Sequence, residues 1–270
     1  MTPTNNIIST KNLSIGYATK KEKIVIADNL NLNLAQGKLI ALIGGNGIGK
    51  STLLRTLCSI QPPLSGEILL NEKALHNYSP LALAQQLSLV LTEKLPPSNL
   101  TVYELVALGR QPYTNWLGKL SEQDTNQINR AIELTQIASF TEKKHFEISD
   151  GQLQKVLVAR ALAQDTPLII LDEPTTHLDL LHKVSLFKLL KKLSQETNKC
   201  ILFSTHDIDL AIQLADEMIV MTEETSSETS RTNAVQDQPC NLISKGIFSS
   251  IFKGEGIAFD AEKGKFVIKS

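Results

Sequence analysis

A glycine-rich segment that ends in lysine and serine has the composition of a loop that binds phosphate. Residues 44–51 read GGNGIGKS and fit the pattern G-x-x-x-x-G-K-[ST], between a strand pattern and a helical pattern. In such a loop backbone N–H groups surround the phosphates, the lysine adds positive charge and the serine hydroxyl binds Mg²⁺. A glycine-rich turn without a ligand is the alternative, and the flanking strand and helix favour the phosphate loop. The candidate binding residues are Gly44, Asn46, Gly47, Gly49, Lys50, Ser51 and Thr52.

Two adjacent carboxylates follow a second apolar strand. Residues 168–171 read LIIL, and Asp172 and Glu173 come directly after them. Beside a phosphate loop, Asp172 is expected to hold Mg²⁺ directly or through water, as Ser51 does, and Glu173 to deprotonate the attacking water. Solvation of a strand end is the alternative. Glu173 and Lys50 are therefore candidate catalytic residues of a nucleotide-hydrolysing enzyme that uses Mg²⁺.

A third segment lies between the first two and narrows the family. Residues 148–152 read ISDGQ and precede a helical pattern, so they offer a hydroxyl and N–H groups at a helix start. This order resembles the signature of ATP-binding cassette (ABC) proteins, which is usually Leu-Ser-Gly-Gly-Gln. Ser149 and Gly151 match it, whereas Ile148 and Asp150 depart from it. A helix cap without a ligand is the alternative for this segment alone.

Three further positions acquire roles from the resemblance, which extends from Tyr17 to His206 with all motifs in family order. It implies that His206 contacts the γ-phosphate, that Asp179 lies at a contact between subunits, and that Tyr17 stacks on adenine. In that family the signature of one subunit closes over the ATP of the other. A homodimer of cassettes is therefore expected.

Residues 100–113, with the Gly-Arg-x-Pro element at 109–112, resemble importer cassettes for iron-siderophore, haem and cobalamin uptake. The likeness implies integral membrane permease subunits, and a substrate-binding protein indirectly, and it makes Arg110 and Tyr113 candidate contacts with the permease. An amphipathic helix that ends at Gly109 and Pro112 explains the pattern adequately without a partner.

One position departs from the family. Cassettes usually carry a glutamine after the strand that corresponds to residues 87–91, where it reaches Mg²⁺ and the attacking water. Here Thr92 occupies that position and Glu93 follows it. Because Glu93 has an oxygen on a side chain of similar length, we expect it to bind water or Mg²⁺ instead. The alternative is that both residues only bound a loop.

The bulk composition of the chain limits its partners and its location. The 270 residues are 42% apolar with a net charge of -1, which indicates a globular protein without a polybasic surface, so no nucleic-acid partner is expected. Three scattered cysteines predict reduced thiols rather than disulfides. No secretory signal or membrane-spanning apolar run is evident. We therefore expect a peripheral protein on the cytoplasmic face of the inner membrane.

The order of patterns predicts an α/β fold, a P-loop NTPase core with a parallel sheet, an N-terminal antiparallel β subdomain and an inserted helical subdomain. The cassette spans residues 1–221, with the helical subdomain at approximately 93–150. Residues 222–231 contain no apolar residue, so 222–240 are expected to form a mobile loop. A C-terminal helix and hairpin extension would occupy residues 241–270.

Two other functions remain open at this point. One is a soluble cassette ATPase that acts in translation or DNA maintenance, although this chain has a single cassette and no heptad run. The other is a nucleotide-binding regulator that does not hydrolyse ATP, which the presence of Glu173 disfavours.

Overall fold

Short apolar strands alternate with helices along most of the chain. The structure, a computed structural model, describes residues 5–19, 22–91, 95–96, 98–225, 230–251 and 256–268. Within those ranges no helix is both long and apolar enough to span a bilayer. The helices are α1 (Lys50–Leu57), α2 (Pro80–Ala84), α3 (Val102–Ala107), α4 (Glu122–Thr135), α5 (Asp150–Ala163), α6 (Leu180–Glu196), α7 (Ile208–Leu214) and α8 (Pro239–Ser244). The strands are β1 (Asn6–Ala18), β2 (Lys23–Leu30), β3 (Asn33–Ala35), β4 (Leu39–Gly44), β5 (Ser65–Leu70), β6 (Lys73–Ala74), β7 (Leu87–Val90), β8 (Leu168–Leu171), β9 (Cys200–Ser204), β10 (Glu217–Thr225), β11 (Ser230–Asp237), β12 (Ile257–Asp260) and β13 (Lys265–Ile268).

Five neighbouring strands of the large sheet run parallel in the order β10-β4-β9-β8-β7. Every residue of β4, β8 and β9 is buried, because alternate side chains enter hydrophobic cores on opposite faces of the sheet. At the other end β1 pairs antiparallel with β2, β3 and β5. The predicted α/β architecture is therefore confirmed. The carboxyl ends of β4, β8 and β9 meet at one edge of the sheet.

Helices α3, α4 and α5 form the helical unit between β7 and β8. Each begins with a capping box, in which the first side chain accepts from a backbone N–H and a later side chain accepts in return. The three capping residues are Thr101, Ser121 and Ser149. These local signals explain where each helix begins.

Arg110 has a structural role inside this helical unit. Its guanidinium is buried, with Nε 2.8 Å from Oδ1 of Asp124 and Nη1 donating to the carbonyl of Ala163 at 2.8 Å. The same group lies 3.9 Å from the centre of the Tyr113 ring. Gly109 is needed for close packing, since a Cβ there would lie 2.2 Å from the carbonyl oxygen of Arg160. The expectation that Arg110 contacts a permease is therefore wrong, because its charge is already satisfied within the subunit.

The segment 222–240, expected to be a mobile loop, forms strands and the start of a helix over nearly all of its described residues. Strand β10 continues to Thr225 and pairs antiparallel with β11, from Met218 opposite Asp237 to Thr225 opposite Ser230. Strand β11 also pairs with β2, so it lies inside the sheet rather than at its margin. The polar composition of this segment led to a wrong prediction of a loop, because the hydrogen bonds between paired strands satisfy the backbone N–H and C=O groups whatever the side chains are.

A helix and a hairpin follow this ladder. Helix α8 leads to the antiparallel pair β12–β13. Phe248 is fully buried and stacks on Phe259, which in turn contacts Phe266 edge to face. The backbone N–H of Phe266 donates to Asp209 at the start of α7. The C-terminal segment is thus packed against the helix that follows β9.

Candidate active site

The glycine-rich loop follows β4 and leads into α1. Gly44 and Gly49 have φ angles of 155° and 110°, in a region that favours glycine. A Cβ at Gly49 would lie 2.4 Å from Ile26, and one at Gly44 would lie 2.8 Å from the carbonyl oxygen of Met221. Asn46 and Gly47 are exposed at the tip of the loop. The loop therefore has the tight backbone and the helix N-terminus that phosphate binding requires.

Lys50 is buried at the start of α1. Its Nζ donates to the carbonyl oxygens of Gly44 at 3.0 Å and Gly45 at 3.1 Å, which draws the side chain back over the loop. Burial lowers the pKa of Lys50, and the nearby carboxylates of Glu173 and Asp172 oppose that shift. The ammonium is therefore in position to meet an anion at the centre of the loop.

Asp172 follows β8 and faces the phosphate loop. The hydroxyl of Ser51 donates to its Oδ1 at 3.4 Å, and the hydroxyl of Ser204, at the end of β9, donates to the same oxygen at 2.7 Å. A carboxylate and a hydroxyl beside a phosphate loop are the hard oxygen ligands that Mg²⁺ prefers, so these residues fit the metal. Ser51 and Asp172 would hold it, and the metal would neutralise charge on the phosphates.

Glu173 is fixed in place by residues from a neighbouring strand end. Its backbone N–H donates to Oγ of Ser204 at 2.8 Å, and its Oε1 lies 2.7 Å from Nε2 of His206. The hydroxyl of Thr176 lies 3.4 Å from the other carboxylate oxygen. Glu173 has a φ of 46°, a conformation uncommon for residues with a side chain. An uncommon backbone conformation held by Ser204 and two side-chain contacts with the carboxylate thus orient Glu173, as expected of a general base.

Tyr17 lies beside the first turn of α1. Its hydroxyl is 3.3 Å from the hydroxyl of Thr52, and its ring is partly exposed. The structure therefore places this aromatic side chain next to the phosphate loop, where the resemblance predicts adenine. Stacking on a base stays a prediction.

Ser149, Gly151 and Asp179 lie at the starts of two helices other than the one that follows the phosphate loop. Ser149 caps α5 and accepts from the backbone N–H of Gln152 at 3.3 Å. Asp179 caps α6, and a hydrogen bond from the backbone N–H of His182 is the main reason that the pKa of its carboxyl is lowered. These three residues stand on different helices from Lys50 and Ser51. Contacts between them and a nucleotide therefore stay a prediction.

Thr92, Glu93 and the expected contact of Glu93 with metal or water lie outside the described residues. The strand before them, β7, ends at Val90. The carbonyl oxygen of Val90 accepts from the backbone N–H of Asp172 at 2.9 Å, so the strand that leads to these residues ends beside the carboxylate site.

The contacts of Ser204 with Asp172 and Glu173 were not predicted from the sequence. This buried serine ends β9, accepts from the backbone of Glu173 and donates to the side chain of Asp172. A hydroxyl residue at the end of an otherwise apolar strand, two residues before His206, was the available signal. His182, which contacts Asp179, was missed as well.

Comparisons with known proteins give a consistent family. The model of the family described as ABC transporter matches residues 27–176. The achromobactin transport ATP-binding protein CbrD of Dickeya dadantii is 38% identical over 245 residues, which cover 91% of this chain and 87% of that protein. The iron(3+)-hydroxamate import ATP-binding protein FhuC of Bacillus subtilis is 40% identical over 216 residues, or 80% of this chain and 79% of that protein.

A solved structure gives a similar result. The post-hydrolysis dimer of the ATP-binding cassette MJ0796, bound to ADP and Pi, matches with a TM-score of 0.66 and 28% sequence identity. The match covers 79% of this chain and 93% of that one.

Proposed function

The chain belongs to the ABC transporter family, and on that premise we propose that it is the ATP-hydrolysing subunit of an importer for an iron-siderophore type substrate. In this role it binds ATP and Mg²⁺, hydrolyses the γ-phosphate bond and supplies the energy for uptake through a partner permease. Haem and cobalamin are the other substrates consistent with the sequence resemblance.

The observation that carries this proposal is the meeting of three strand ends at one edge of the sheet. They bring Lys50 and Ser51 of the phosphate loop beside Asp172 and Glu173. This arrangement supplies a cationic group for the phosphates, oxygen ligands for Mg²⁺ and a held carboxylate for the attacking water.

The import of a chelated iron is supported by the names of the relatives. One relative described above is named for achromobactin transport and the other for iron(3+)-hydroxamate import. A role in translation or DNA maintenance has no comparable support, because both of these relatives are named for transport or import. Each likeness extends over at least 79% of the relative's own length.

A pair of subunits on the cytoplasmic face of the membrane is part of this proposal. The solved cassette bound to ADP and Pi is dimeric. In this chain Ser149 and Gly151 stand at the start of α5, whereas the phosphate loop stands at the start of α1. A second subunit would bring its own Ser149–Gly151 segment to the phosphates, and permease subunits would receive the resulting motion. A substrate-binding protein would act indirectly, outside the membrane.

Uptake by a strain that lacks this gene tests the proposal. The strain is expected to lose growth on one class of iron source, which is a ferric siderophore of catecholate, carboxylate or hydroxamate type, or haem. Growth that depends on cobalamin is tested separately, as a different nutrient. Radiolabelled substrate uptake should be lost in parallel, and the wild-type gene should restore both.

A gene that carries Glu173→Gln provides the matched control, because the protein should fold and bind ATP but not turn it over. Restoration of uptake by this variant would contradict coupling to ATP hydrolysis. Unchanged uptake of all the named compounds in the deletion strain would contradict the importer assignment.

A further inference from the structure

His182, on the first turn of α6, contacts the residue that caps its own helix. Its Nδ1 lies 2.8 Å from Oδ1 of Asp179, and its backbone N–H donates to the same oxygen at 2.9 Å. Because a carboxylate only accepts, the hydrogen lies on Nδ1. Two bonds to one oxygen therefore fix the orientation of the imidazole relative to Asp179.

The other edge of the same ring packs against Gly151. A Cβ on Gly151 would lie 2.5 Å from Cδ2 of His182, 3.0 Å from Cγ and 3.2 Å from Nε2. These ring atoms are the three nearest neighbours, and the first is closer than real Cβ contacts come. Gly151 is not among the residues with positive φ, so its backbone does not itself require glycine. The imidazole occupies the space that a side chain at position 151 would need.

We propose that His182 is a positioning residue that holds the start of α5 against the Asp179 segment, so that both face a second subunit as one surface. This inference rests on the proposed function, in which the Ser149–Gly151 segment meets the partner, and on the expectation from the family resemblance that Asp179 lies at a contact between subunits. One side chain then sets the spacing between two elements that must engage the same dimer interface. A side chain at position 151 would displace the ring from this contact.

The contact adds little to the stability of the single subunit. The side chains of His182 and Asp179 are 51% and 64% exposed, and exposed pairs of this kind contribute little to folding. Loss of the ring should therefore loosen the start of α5 without unfolding the protein. Loosening of α5 without a loss of stability would distinguish a positioning role of His182 from a merely structural one.

ATP-induced dimerisation in the Glu173→Gln background tests the proposal, with His182→Ala, Gly151→Ala and the double variant. Light scattering would give the dimer affinity, nucleotide titration the ATP affinity of the monomer, and thermal unfolding the stability. His182→Ala is expected to weaken the dimer by about tenfold and to leave monomer ATP affinity and Tm within error. Lys188→Ala, an exposed change on the same helix, serves as the control and should alter none of them.

The double variant tests the contact itself. Gly151→Ala alone displaces the imidazole of His182. In the His182→Ala background the imidazole is absent, so the Cβ of the new alanine at position 151 has room. The effect of Gly151→Ala on dimer affinity should therefore be several-fold smaller in the His182→Ala background. Equal effects in both backgrounds, dimerisation of His182→Ala like the control, or a large fall in its Tm would each overturn the proposal.

Amide hydrogen exchange separates this inference from the proposed function. In the monomer without ATP, exchange at residues 149–153 should accelerate several-fold in His182→Ala but not in Lys188→Ala. Unchanged exchange would overturn the inference even if dimers form. Failure of the Glu173→Gln parent to dimerise would instead contradict the proposed function, and the exchange result would still decide the role of His182.

Discussion

Nε2 of His206 lies 2.7 Å from Oε1 of Glu173, although the two residues follow different strands. Since the carboxylate can only accept, the imidazole donates through Nε2. The bond ties the end of β9 to the end of β8 at the edge where the phosphate loop begins. A movement of His206 toward a phosphate would therefore change the position of the carboxylate that we propose as the general base.

Replacing Glu173 with Gln should abolish ATP turnover and preserve ATP binding. The amide retains the shape of the side chain but cannot take a proton, and general bases contribute about 10²- to 10⁴-fold to rates. Phosphate release and nucleotide titration measure the two properties, and the variant should accumulate as an ATP-bound dimer. Glu133→Gln, an exposed change on α4, is the matched control. Turnover at the wild-type rate in Glu173→Gln would mean that another group acts as the base.

Replacing Lys50 with Ala should weaken nucleotide binding itself. The ammonium is buried over the loop, and hydrogen bonds to charged groups contribute about 1.5–3 kcal/mol each, so affinity for ATP should fall roughly 10- to 100-fold. AMP, which lacks β- and γ-phosphates, should lose much less affinity. Equal losses for ATP and AMP would contradict the assignment of Lys50 to those phosphates.

Replacing Asp150 with Gly should change ATP affinity little. A carboxylate within ~4 Å of a phosphate would repel it by about 4 kcal/mol at an effective dielectric near 20. Asp150 instead lines, with Glu173, a cavity of about 310 Å³ between α5 and residues 173–178 of its own subunit. We therefore expect its side chain to point away from the partner's nucleotide. Asp150→Asn keeps the shape without the charge, and a large gain in affinity for both variants would show that the charge faces the phosphate.

Replacing Asp124 with Asn should reduce stability in a pH-dependent way. Burial alone would raise the pKa of this carboxyl, but hydrogen bonds from Ser121 and Arg110 outweigh it and hold the pKa below its usual value. A depressed pKa contributes stability above the unfolded value of ~3.9, and that stability is lost as pH falls through the folded pKa. At pH 7 loss of the buried partner of Arg110 should cost about 3 kcal/mol.

Urea unfolding of wild type and Asp124→Asn across the acidic range measures this dependence. The difference in free energy of unfolding should be largest near neutral pH and should shrink below about pH 4. Glu122→Gln, an exposed change on the same helical turn, should give a small difference at every pH. A constant difference for Asp124→Asn would mean that its ionisation is not linked to folding.

The sequence predicted the residues whose roles depend on local pattern. The phosphate loop, Asp172 and Glu173 each follow a short apolar strand, and parallel strands bring such ends together, so their proximity could be inferred before the structure was seen. Lys50 beside the carboxylates is the direct outcome of that geometry.

The remaining features depend on partners that are distant along the chain. Ser204 joins Asp172 to Glu173 only because β9 lies next to β8. Arg110 is buried because Asp124 and the carbonyl of Ala163 receive its hydrogen bonds. Strand β11 forms because β10 and β2 offer ladder partners, which composition does not disclose.

The last prediction concerns Thr92 and Glu93, which follow β7 where the family usually has a glutamine. Strand β7 ends at Val90, whose carbonyl oxygen accepts from the backbone N–H of Asp172, so the strand that leads to this segment ends beside the candidate metal ligand Asp172. Glutamate has the length of glutamine and an oxygen that binds Mg²⁺ or accepts from water, whereas threonine is shorter. Glu93→Ala should therefore impair ATP turnover coupled to the permease far more than Thr92→Ala does.

Two measurements separate a metal contact from a general loss of coupling. The affinity of the ATP-bound protein for Mn²⁺, measured by magnetic resonance, should fall in Glu93→Ala and stay near wild type in Thr92→Ala. Glu93→Gln places the family's usual amide at position 93, so it should retain most of the coupled turnover because its side-chain oxygen still accepts and coordinates. If both alanine variants turned over ATP and bound Mn²⁺ like wild type, these residues would only bound a loop, and hydrolysis would proceed without this contact.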